Sequence, residues 1–345
     1  MICRSASNFF LAAVVAGGLP VIRADEVPGS IAGPPAGPDL AANLSKEVGK
    51  VFAMRAPAVV RVLASDRHGE LSGTGFFVDP TGTIFTLAST VGEAESVSVA
   101  YGDDVLPAKV LDADARSGLA ILKVEKMTPF VPFAGPDPPE LATPVVAIGY
   151  PHDLNASPSF GIISGFDRKF LGRYFVTTHI RASLPVQAGF GGAPLLNFRG
   201  EALGIVIAGV DKGSSCFVLP IAAAEKIRRD VARFGEARHG WVGVTVESYP
   251  NGEVRVAELG EETPAAHCGL RSGDVLLQVG DIPVREVEDV LDASFFLTGG
   301  DPVEIRVRRD GSDLTFSVYA ATHPIAEKSE VHALGELPKK NFLGE

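Results

Sequence analysis

Apolar and polar positions alternate in short runs along most of this chain, and turn residues separate the runs. Between residues 60 and 220 this pattern predicts strands, and no sustained helical period occurs before Pro220. The predicted strands span 73–78, 83–88, 96–101, 105–110, 119–124, 144–149, 160–166, 174–178, 202–208 and 215–219. We therefore expect an all-β unit of the barrel or sandwich type.

Other stretches have helical spacing. From Leu44 apolar residues recur at i, i+4, i+7 and i+8, which predicts a short helix over 44–55. A second apolar stripe predicts a helix from Ile221 to Phe234, ending near Gly235. After it comes a compact αβ pattern with a helix whose inner face would contain Val287, Val290, Leu291 and Ser294, and closing strands at 302–308 and 313–319.

The two ends of the chain have a different character. Residues 1–24 combine a basic residue, Arg4, with a short apolar run and small residues before Asp25, which is typical of a secretory signal. The run of about 14 apolar residues is shorter than the ~20 that a membrane span needs, so an anchor is the weaker alternative. Residues 25–43 resemble a Pro/Gly-rich linker, and 323–345 a flexible charged tail. We expect export to the periplasm or cell envelope.

Composition excludes several function classes. The formal charge of −11 and the lack of a Lys/Arg cluster argue against nucleic acid as a partner. The His and Cys residues have no metal-ligand spacing and no phosphate-binding loop is present, so we expect no metal and no cofactor. Cys216 and Cys268 fall in different predicted domains, and we expect two separate half-buried thiols.

The segment from Gly189 to Asn197 reads G-F-G-G-A-P-L-L-N and precedes an apolar strand. Three glycines in four residues, followed by a proline, favour a tight loop whose backbone N–H groups are free to point at a ligand. Acyl-transfer enzymes place their nucleophile and oxyanion hole in such a loop.

This loop resembles the nucleophile loop G-N-S-G-G-P-L-V-N of the HtrA-type proteases, which are trypsin-like domains followed by PDZ domains. Gly191 falls where the family has its serine. Residues 84–91 resemble the family motif I-L-T-N-x-H-V-V, with Ser89 in place of the histidine. Residues 114–122 resemble D-x-R-S-D-I-A-L-I, with Gly118 in place of the aspartate. Together with further motifs, the resemblance covers roughly residues 45–322.

The resemblance implies a mostly β fold, with a chymotrypsin/trypsin-like double β-barrel over residues 44–235 and one αβ PDZ domain over 238–322. Each barrel would have six strands, and loops 89, 118 and 191 would converge in the cleft between them. Residues 263–280 resemble the PDZ signature S-P-A-A-x-A-G-L-x-x-G-D-x-I-L-x-V-x-G nearly position by position. The family trimerises through the region of the helix at 44–55, so the resemblance implies a homo-oligomer, a trimer by analogy.

All three triad positions depart from the family pattern. Gly191 has no side chain, Gly118 cannot orient an imidazole, and Ser89 is a poor base. Loss of a complete triad lowers kcat by about 10⁶. No histidine lies near these positions in sequence; His179, twelve residues before Gly191, is expected at the surface of a strand end. We therefore expect no catalytic residues, and a protein that is not an enzyme.

Two interpretations of the oxyanion-loop remnant Gly189, Phe190 and Gly191 stay open. In the first, the loop only packs and preserves the barrel geometry. In the second, N–H groups near Gly189 and Gly191 bind a carbonyl or carboxylate of a peptide. Phe190 would plug the cleft in either case.

The PDZ region keeps its binding motif. Residues 241–244 match the carboxylate-binding loop x-Φ-G-Φ, whose N–H groups form a nest for a peptide's terminal carboxylate. The strand after it would bind the peptide by β-augmentation, and the second helix would line its side-chain pocket. The residues assigned to this groove are Trp241, Val242, Gly243, Val244, Thr245, Val246, Val290 and Ser294.

These observations favour an exported HtrA-like pseudoprotease that binds peptide C-termini or unfolded segments through its PDZ domain. It would act as an adaptor, chaperone or regulator, with an active protease as a further partner. Two alternatives remain. One is an active serine endopeptidase of periplasmic protein quality control with a non-standard catalytic set; the other is a structural envelope protein whose PDZ domain holds a fixed partner.

Overall fold

The computed structural model describes residues 39–67 and 69–322. The predicted signal segment at 1–24, the linker up to residue 38 and the predicted tail at 323–345 lie outside the described residues. Within the described ranges, no helix is long and apolar enough to cross a membrane.

Strands dominate the described chain, and five α-helices accompany them. The helices are α1 Leu40–Arg55, α2 Ala88–Val91, α3 Ile221–Phe234, α4 Pro264–Cys268 and α5 Val287–Phe296. The first ten strands are β1 Val59–Asp66, β2 Gly69–Phe77, β3 Thr83–Leu87, β4 Ser96–Tyr101, β5 Asp104–Pro107, β6 Lys109–Asp114, β7 Leu119–Lys123, β8 Pro144–Gly149, β9 Ser157–Phe170 and β10 Arg173–Ser183. The others are β11 Pro194–Leu196, β12 Ala202–Val210, β13 Ser215–Pro220, β14 Gly240–Trp241, β15 Val244–Ser248, β16 Val254–Leu259, β17 Val275–Val279, β18 Ile282–Pro283, β19 Pro302–Arg309, β20 Ser312–Tyr319 and β21 Ala321–Thr322.

The first sheet has seven strands in the order β5-β4-β1-β2-β3-β7-β6, so the expectation of six strands here is wrong. The predicted single strand at 105–110 is two strands that meet at Ala108, with β5 paired to β4 and β6 paired to β7. Pro107 ends β5, and proline supplies no N–H to extend a ladder. The consecutive strands β5 and β6 therefore occupy the two opposite edges of this sheet.

The second sheet is a closed six-stranded barrel in the order β10-β13-β12-β11-β8-β9, as expected. Its short strand β11 lies within the glycine-rich segment that the sequence assigned to a loop. Leu195 pairs with Ala147 of β8 on one side and with Gly204 of β12 on the other. This pairing holds the segment that precedes it, Gly189–Ala193, against the end of β8.

The third unit contains a sheet in the order β15-β16-β17-β19-β20, with β18 paired to β17, and the two-stranded ladder β14-β21. β15 is therefore an edge strand, and α5 lies beside it. A separate core cluster fills this unit, and it includes Val256, Leu276 and Ile305.

Helix α1 begins at Leu40, four residues before the predicted start at Leu44. The Asp39 side chain accepts a hydrogen bond from the N–H of Ala42 at 3.1 Å, which makes Asp39 the N-terminal cap. Val51 is buried and Phe52 partly buried against a core cluster, which confirms the predicted apolar face over this part of the helix. Leu44 is exposed.

One core cluster joins the parts of the chain from Leu44 onward. It contains side chains from both large sheets, from α1 and α3, and Phe295 of α5. Phe295 is fully buried there, with Lys226 Nζ 5.8 Å from its ring centroid. Helix α5 therefore packs on two sides, against its own sheet through Ala293 and against the barrel unit through Phe295.

Candidate functional site

The three predicted triad positions lie close together. The N–H of Ala88, next to Ser89, donates to the carbonyl of Gly118 at 2.8 Å. The Gly191 carbonyl accepts from the N–H of Thr74 at 2.9 Å, and a side chain on Gly73 would touch both Thr90 and Gly191. The loops at 89, 118 and 191 thus converge at one end of the two sheets. Ser89 is exposed in α2, and no hydrogen bond of the described residues involves its hydroxyl.

A leucine occupies the space where a side chain of residue 191 would be. A Cβ built on Gly191 would lie 2.5 Å from Leu87 Cδ1. At Gly118 the backbone φ is +77°, a region that favours glycine. The packing of Leu87 and the backbone conformation of residue 118 thus both suit glycine at these two positions.

The loop before β11 leaves two donors free. Phe190 N–H donates to the Gln187 carbonyl at 3.0 Å and Gly192 N–H to the Val206 carbonyl at 2.8 Å. Within the described ranges, no acceptor is present for the N–H of Gly189 or Gly191. These are the two groups that the sequence assigned to the oxyanion-loop remnant.

Phe190 does not plug the cleft as expected. Its side chain is buried in the core of the second barrel, and its ring would be 2.9 Å from a Cβ on Gly149. The apolar interior of the barrel is a better environment for a phenyl ring than an open cleft. Phe190 instead forms part of the wall of a cavity.

This cavity, which we call the barrel pocket, has a volume of about 550 Å³ and adjoins Gly189 and Gly191. Its lining residues are His152, residues 186–191, residues 206–209, Lys212 and Gly213. His152 was missed by the sequence argument because it is far from Gly191 in the chain. The signal was present, since β8 pairs with β11 and carries Tyr150 to His152 to the loop. His152 N–H donates to the Ala188 carbonyl at 2.8 Å.

His179 is not the surface residue that the sequence predicted. It lies within β10, 2% exposed, with Nδ1 2.7 Å from the Thr177 carbonyl oxygen and its ring stacked on Phe175. Burial lowers the pKa of this imidazole. The strand extends to Ser183, beyond the predicted end at residue 178, and this extension places His179 in the interior.

A buried contact connects the third unit to the loop that carries Gly118. His239 Nε2 is 2.9 Å from Asp114 Oδ1, and the Asp114 side chain also accepts from the N–H of Ser117 at 3.0 Å. Gly118 N–H in turn donates to the Asp114 carbonyl. The start of the third unit is thereby fixed to one of the three triad positions.

The predicted peptide groove lies between β15 and α5. Gly243 has φ of +79°, and a Cβ there would be 2.4 Å from the Thr263 side chain, so only glycine fits this loop. Val244, Val246 and Val290 pack against one core cluster, which places the predicted strand and helix residues around the same apolar space. Val242 N–H and Gly243 N–H have no backbone acceptor among the described residues.

The remaining groove residues occupy mixed positions. Thr245 is exposed on β15, Ser294 is half-buried on α5, and Trp241 pairs with Ala321 in the ladder β14-β21. Leu291, expected on the inner face of α5, is 36% exposed. The helix turns Asp289 inward instead, because Asp289 caps the start of α5 and contacts Arg168 of β9.

Two family models match the chain. The model of the trypsin-like peptidase domain matches residues 73–205, and that of the PDZ domain matches residues 240–319. A trypsin-like peptidase domain followed by a PDZ domain defines the class of this protein, which confirms the predicted fold. The chain belongs to the HtrA-type family.

Named relatives support this assignment. A probable periplasmic serine endoprotease of the DegP-like type from Ectopseudomonas mendocina (strain ymp) is 31% identical over 288 residues, which are 78% of this chain and 60% of the relative. The serine endoprotease DegS of Salmonella typhimurium (strain 14028s / SGSC 2262) is 27% identical over 305 residues, covering 79% of this chain and 86% of the relative. The chain spans about three fifths of the length of the DegP-like relatives.

Solved structures agree in fold. The crystal structure of the serine endoprotease from Yersinia pestis has a TM-score of 0.62 at 25% identity, covering 80% of this chain and 97% of that one. The HtrA-type protease AlgW with a tripeptide has a TM-score of 0.69 at 23% identity, with coverage of 80% and 97%.

These comparisons contradict the expectation that the chain is not an enzyme, because the relatives are named serine endoproteases. The expectation rested on the missing triad side chains at Ser89, Gly118 and Gly191 and on the lack of a histidine near them in sequence. The other histidines were judged by their distance along the chain, and that criterion passed over His152, which lines the barrel pocket beside Gly191.

Proposed function

We propose that this chain is an HtrA-family protein of envelope protein quality control that recruits polypeptides through its PDZ groove. The observation that carries the proposal is β15, an edge strand beside α5, preceded by the Gly243 loop with unpaired N–H groups. An edge strand binds an extended peptide by main-chain hydrogen bonds, and such a loop binds its terminal carboxylate. Peptide C-termini and unfolded segments are the ligand class that fits this arrangement.

Binding of a fluorescent peptide with an apolar, free C-terminus tests this proposal. A side chain at residue 243 would collide with Thr263, so Gly243→Asp should weaken binding by tenfold or more. Gly252→Asp, in an open turn of the same domain, adds the same charge and should leave affinity unchanged. Ser294→Glu is a second variant that leaves the loop intact and places a charge on α5. Equal affinity of the wild type, Gly243→Asp and Ser294→Glu would exclude binding in this groove.

The names of the relatives support a second element, hydrolysis of peptide bonds. Since Gly191 and Gly118 have no side chains, this chain would use a nucleophile and base outside the family pattern, a non-standard catalytic set. Ser89 is an exposed hydroxyl at the position where the family has its histidine.

Labelling with a fluorophosphonate probe tests hydrolysis separately from binding. A serine nucleophile should give covalent labelling that is lost in one Ser→Ala variant, beginning with Ser89→Ala. Ser96→Ala, an exposed serine of β4, serves as the control. A chain that is neither labelled nor able to cleave casein would contradict the hydrolytic element and leave the binding element standing.

Location and assembly complete the proposal. The DegP-like relatives are named periplasmic, which supports export through the segment at 1–24. We further propose a homo-oligomer, a trimer by the family resemblance, with domains at 44–235 and 238–322. Light scattering of the purified protein should give three times the monomer mass, and a monomer at all concentrations would contradict the trimer.

A further inference from the structure

The barrel pocket is cationic at its rim in a chain that is acidic overall. Lys212 and His152 both line it, whereas no Asp or Glu is among its lining residues. Formal charge of the whole chain is −11, so this local balance runs against the composition. Val206 and Phe190 supply apolar wall area, and the loop backbone supplies polar groups.

The Lys212 and His152 side chains have no partner among the residues that the structure describes. No hydrogen bond, ion pair or ring contact in the described ranges engages Lys212 Nζ or the His152 ring. Of the carboxylates adjacent in sequence, Asp153 accepts a hydrogen bond from Ser72 Oγ, and Asp211 does not line the pocket. Lysine and histidine side chains without an internal acceptor are available to an anionic group of a ligand.

The backbone contributes donors to the same space. Gly189 and Gly191 line the pocket, and their N–H groups have no acceptor among the described residues. His152 and Lys212 both have positive φ, 48° and 58° respectively. The chain therefore turns sharply at each residue, and each residue lies at the rim of the pocket. Two backbone donors, a lysine and a histidine thus surround one cavity.

We propose that the barrel pocket binds a carboxylate of a polypeptide, namely the side chain of an Asp or Glu residue. This inference rests on the proposed function in one respect, that polypeptides enter the cleft, but it concerns a site separate from the PDZ groove. Lys212 neutralises the charge, the His152 ring donates a hydrogen bond to the carboxylate, and the N–H groups of Gly189 and Gly191 donate to its oxygens. The aliphatic part of the side chain packs against Val206 and Phe190.

The test uses two N-acetylated, C-terminally amidated fluorescent peptides that differ only in a central Glu or Gln. Amidation removes the terminal carboxylate, so a preference for Glu reports a side-chain carboxylate. A third peptide, with Gln and a free C-terminus, shows whether a terminal carboxylate binds the same pocket. Fluorescence polarisation should show that the wild type binds the Glu peptide about tenfold more tightly than the Gln peptide.

Lys212→Gln should reduce this preference to threefold or less, and Lys109→Gln, which removes an exposed lysine of β6, should not. His152→Asn preserves a backbone conformation that asparagine tolerates well, and should also reduce the preference. In a Gly243→Asp background the preference should persist, so that failure of the PDZ groove and failure of the pocket are read separately.

Several outcomes would overturn the proposal. Equal affinity for the Glu and Gln peptides, or no measurable binding of either, excludes a carboxylate site. If Lys109→Gln and Lys212→Gln reduce the preference for the Glu peptide equally, the preference comes from long-range electrostatics and not from binding in the pocket. A preference that disappears in Gly243→Asp and persists in Lys212→Gln assigns the carboxylate to the PDZ groove.

Discussion

Gly191 and Gly192 are adjacent, yet the protein needs glycine at only one of them for its backbone. Gly192 has φ of +88°, and a Cβ there would lie 2.0 Å from the Thr74 carbonyl oxygen. Gly191 is outside the positive-φ set, and its Cβ would meet only the Leu87 side chain, which can move. The backbone conformation and close packing at residue 192 therefore require glycine. At residue 191 the backbone would also accept a residue with a side chain.

This difference gives a matched pair of variants. Gly192→Ala should lower the free energy of unfolding by about 2 kcal/mol or more, because a fixed backbone oxygen blocks the methyl group. Gly191→Ala should lower it by about 1 kcal/mol or less. Urea unfolding followed by circular dichroism measures both, and a larger loss in Gly191→Ala would contradict the packing described for Leu87.

The two described cysteines differ in reactivity. Burial raises the pKa of the Cys216 thiol to about 12, so its thiolate is scarce at pH 8, whereas Cys268 is partly exposed. Brief treatment of native protein with iodoacetamide should modify Cys268 and leave Cys216 intact, and urea should make both reactive. Peptide mapping by mass spectrometry reads each site; equal modification in native protein would be inconsistent with a buried Cys216.

Asp114 links acid stability to the contact with His239. Burial on its own would raise the pKa of Asp114, but the hydrogen bonds from His239 and Ser117 outweigh it and hold the pKa below the ordinary value of 3.8. A depressed folded-state pKa means that the ionised carboxylate stabilises the fold above pH 3.8. This contribution is lost as the pH falls from 3.8 through the folded-state pKa.

Asp114→Asn should therefore be less stable than the wild type by about 1–3 kcal/mol at neutral pH. The difference should shrink at about pH 2.5, where the wild-type carboxyl is protonated to a larger extent. Urea unfolding of both proteins between pH 2.5 and neutral pH measures this difference in the free energy of unfolding. A difference that stays constant with pH would show that ionisation of Asp114 does not contribute.

At the scale of elements, helix α5 shows where the pattern of apolar residues was sufficient and where it was not. The spacing of apolar residues predicted both the helix and the half-buried positions of Val287 and Val290. The buried Asp289 and Phe295 do not, because they face a second partner, the barrel unit, that local spacing cannot reveal. Leu291 is correspondingly exposed.

Phe295 and Phe296 provide a test of this second interface. Phe295 is fully buried in the shared core cluster, and Phe296 is 36% exposed. Phe295→Ala should lower the free energy of unfolding by about 3–5 kcal/mol because it leaves a cavity. Phe296→Ala should lower it by about 1 kcal/mol. Equal losses in urea unfolding would contradict the docking of α5 on the barrel unit.

The strands were predicted well where turns separate them, as at Thr83–Leu87 and Ser96–Tyr101. They were mispredicted where tertiary pairing decided the outcome. Residues 104–114 divide into two strands because the first part pairs with β4 and the second with β7. Pro194–Leu196 becomes a strand because β8 and β12 flank it. The motifs around Ser89, Gly118 and Gly191 predicted their convergence, but His152 entered the site through the pairing of β8.

At the scale of the whole molecule, the PDZ groove is fixed to the barrel unit by its own helix. Arg168 of β9 forms ion pairs with Glu286 and, at 2.8 Å, with Asp289. Asp292 accepts hydrogen bonds from Thr177 and Thr178 of β10. Because α5 borders the groove on its other side, a ligand in the groove contacts an element that is part of both units.

The central claim is that this molecule recognises the free carboxylate end of a polypeptide in the groove between β15 and α5. The most direct measurement compares one apolar peptide as free acid and as C-terminal amide, titrated against the full chain by fluorescence polarisation. We predict that the free acid binds at least tenfold more tightly, because a carboxylate offers two charged acceptor oxygens to the N–H groups of the Gly243 loop, whereas the amide offers one neutral oxygen. Equal affinity of the two peptides would contradict the claim.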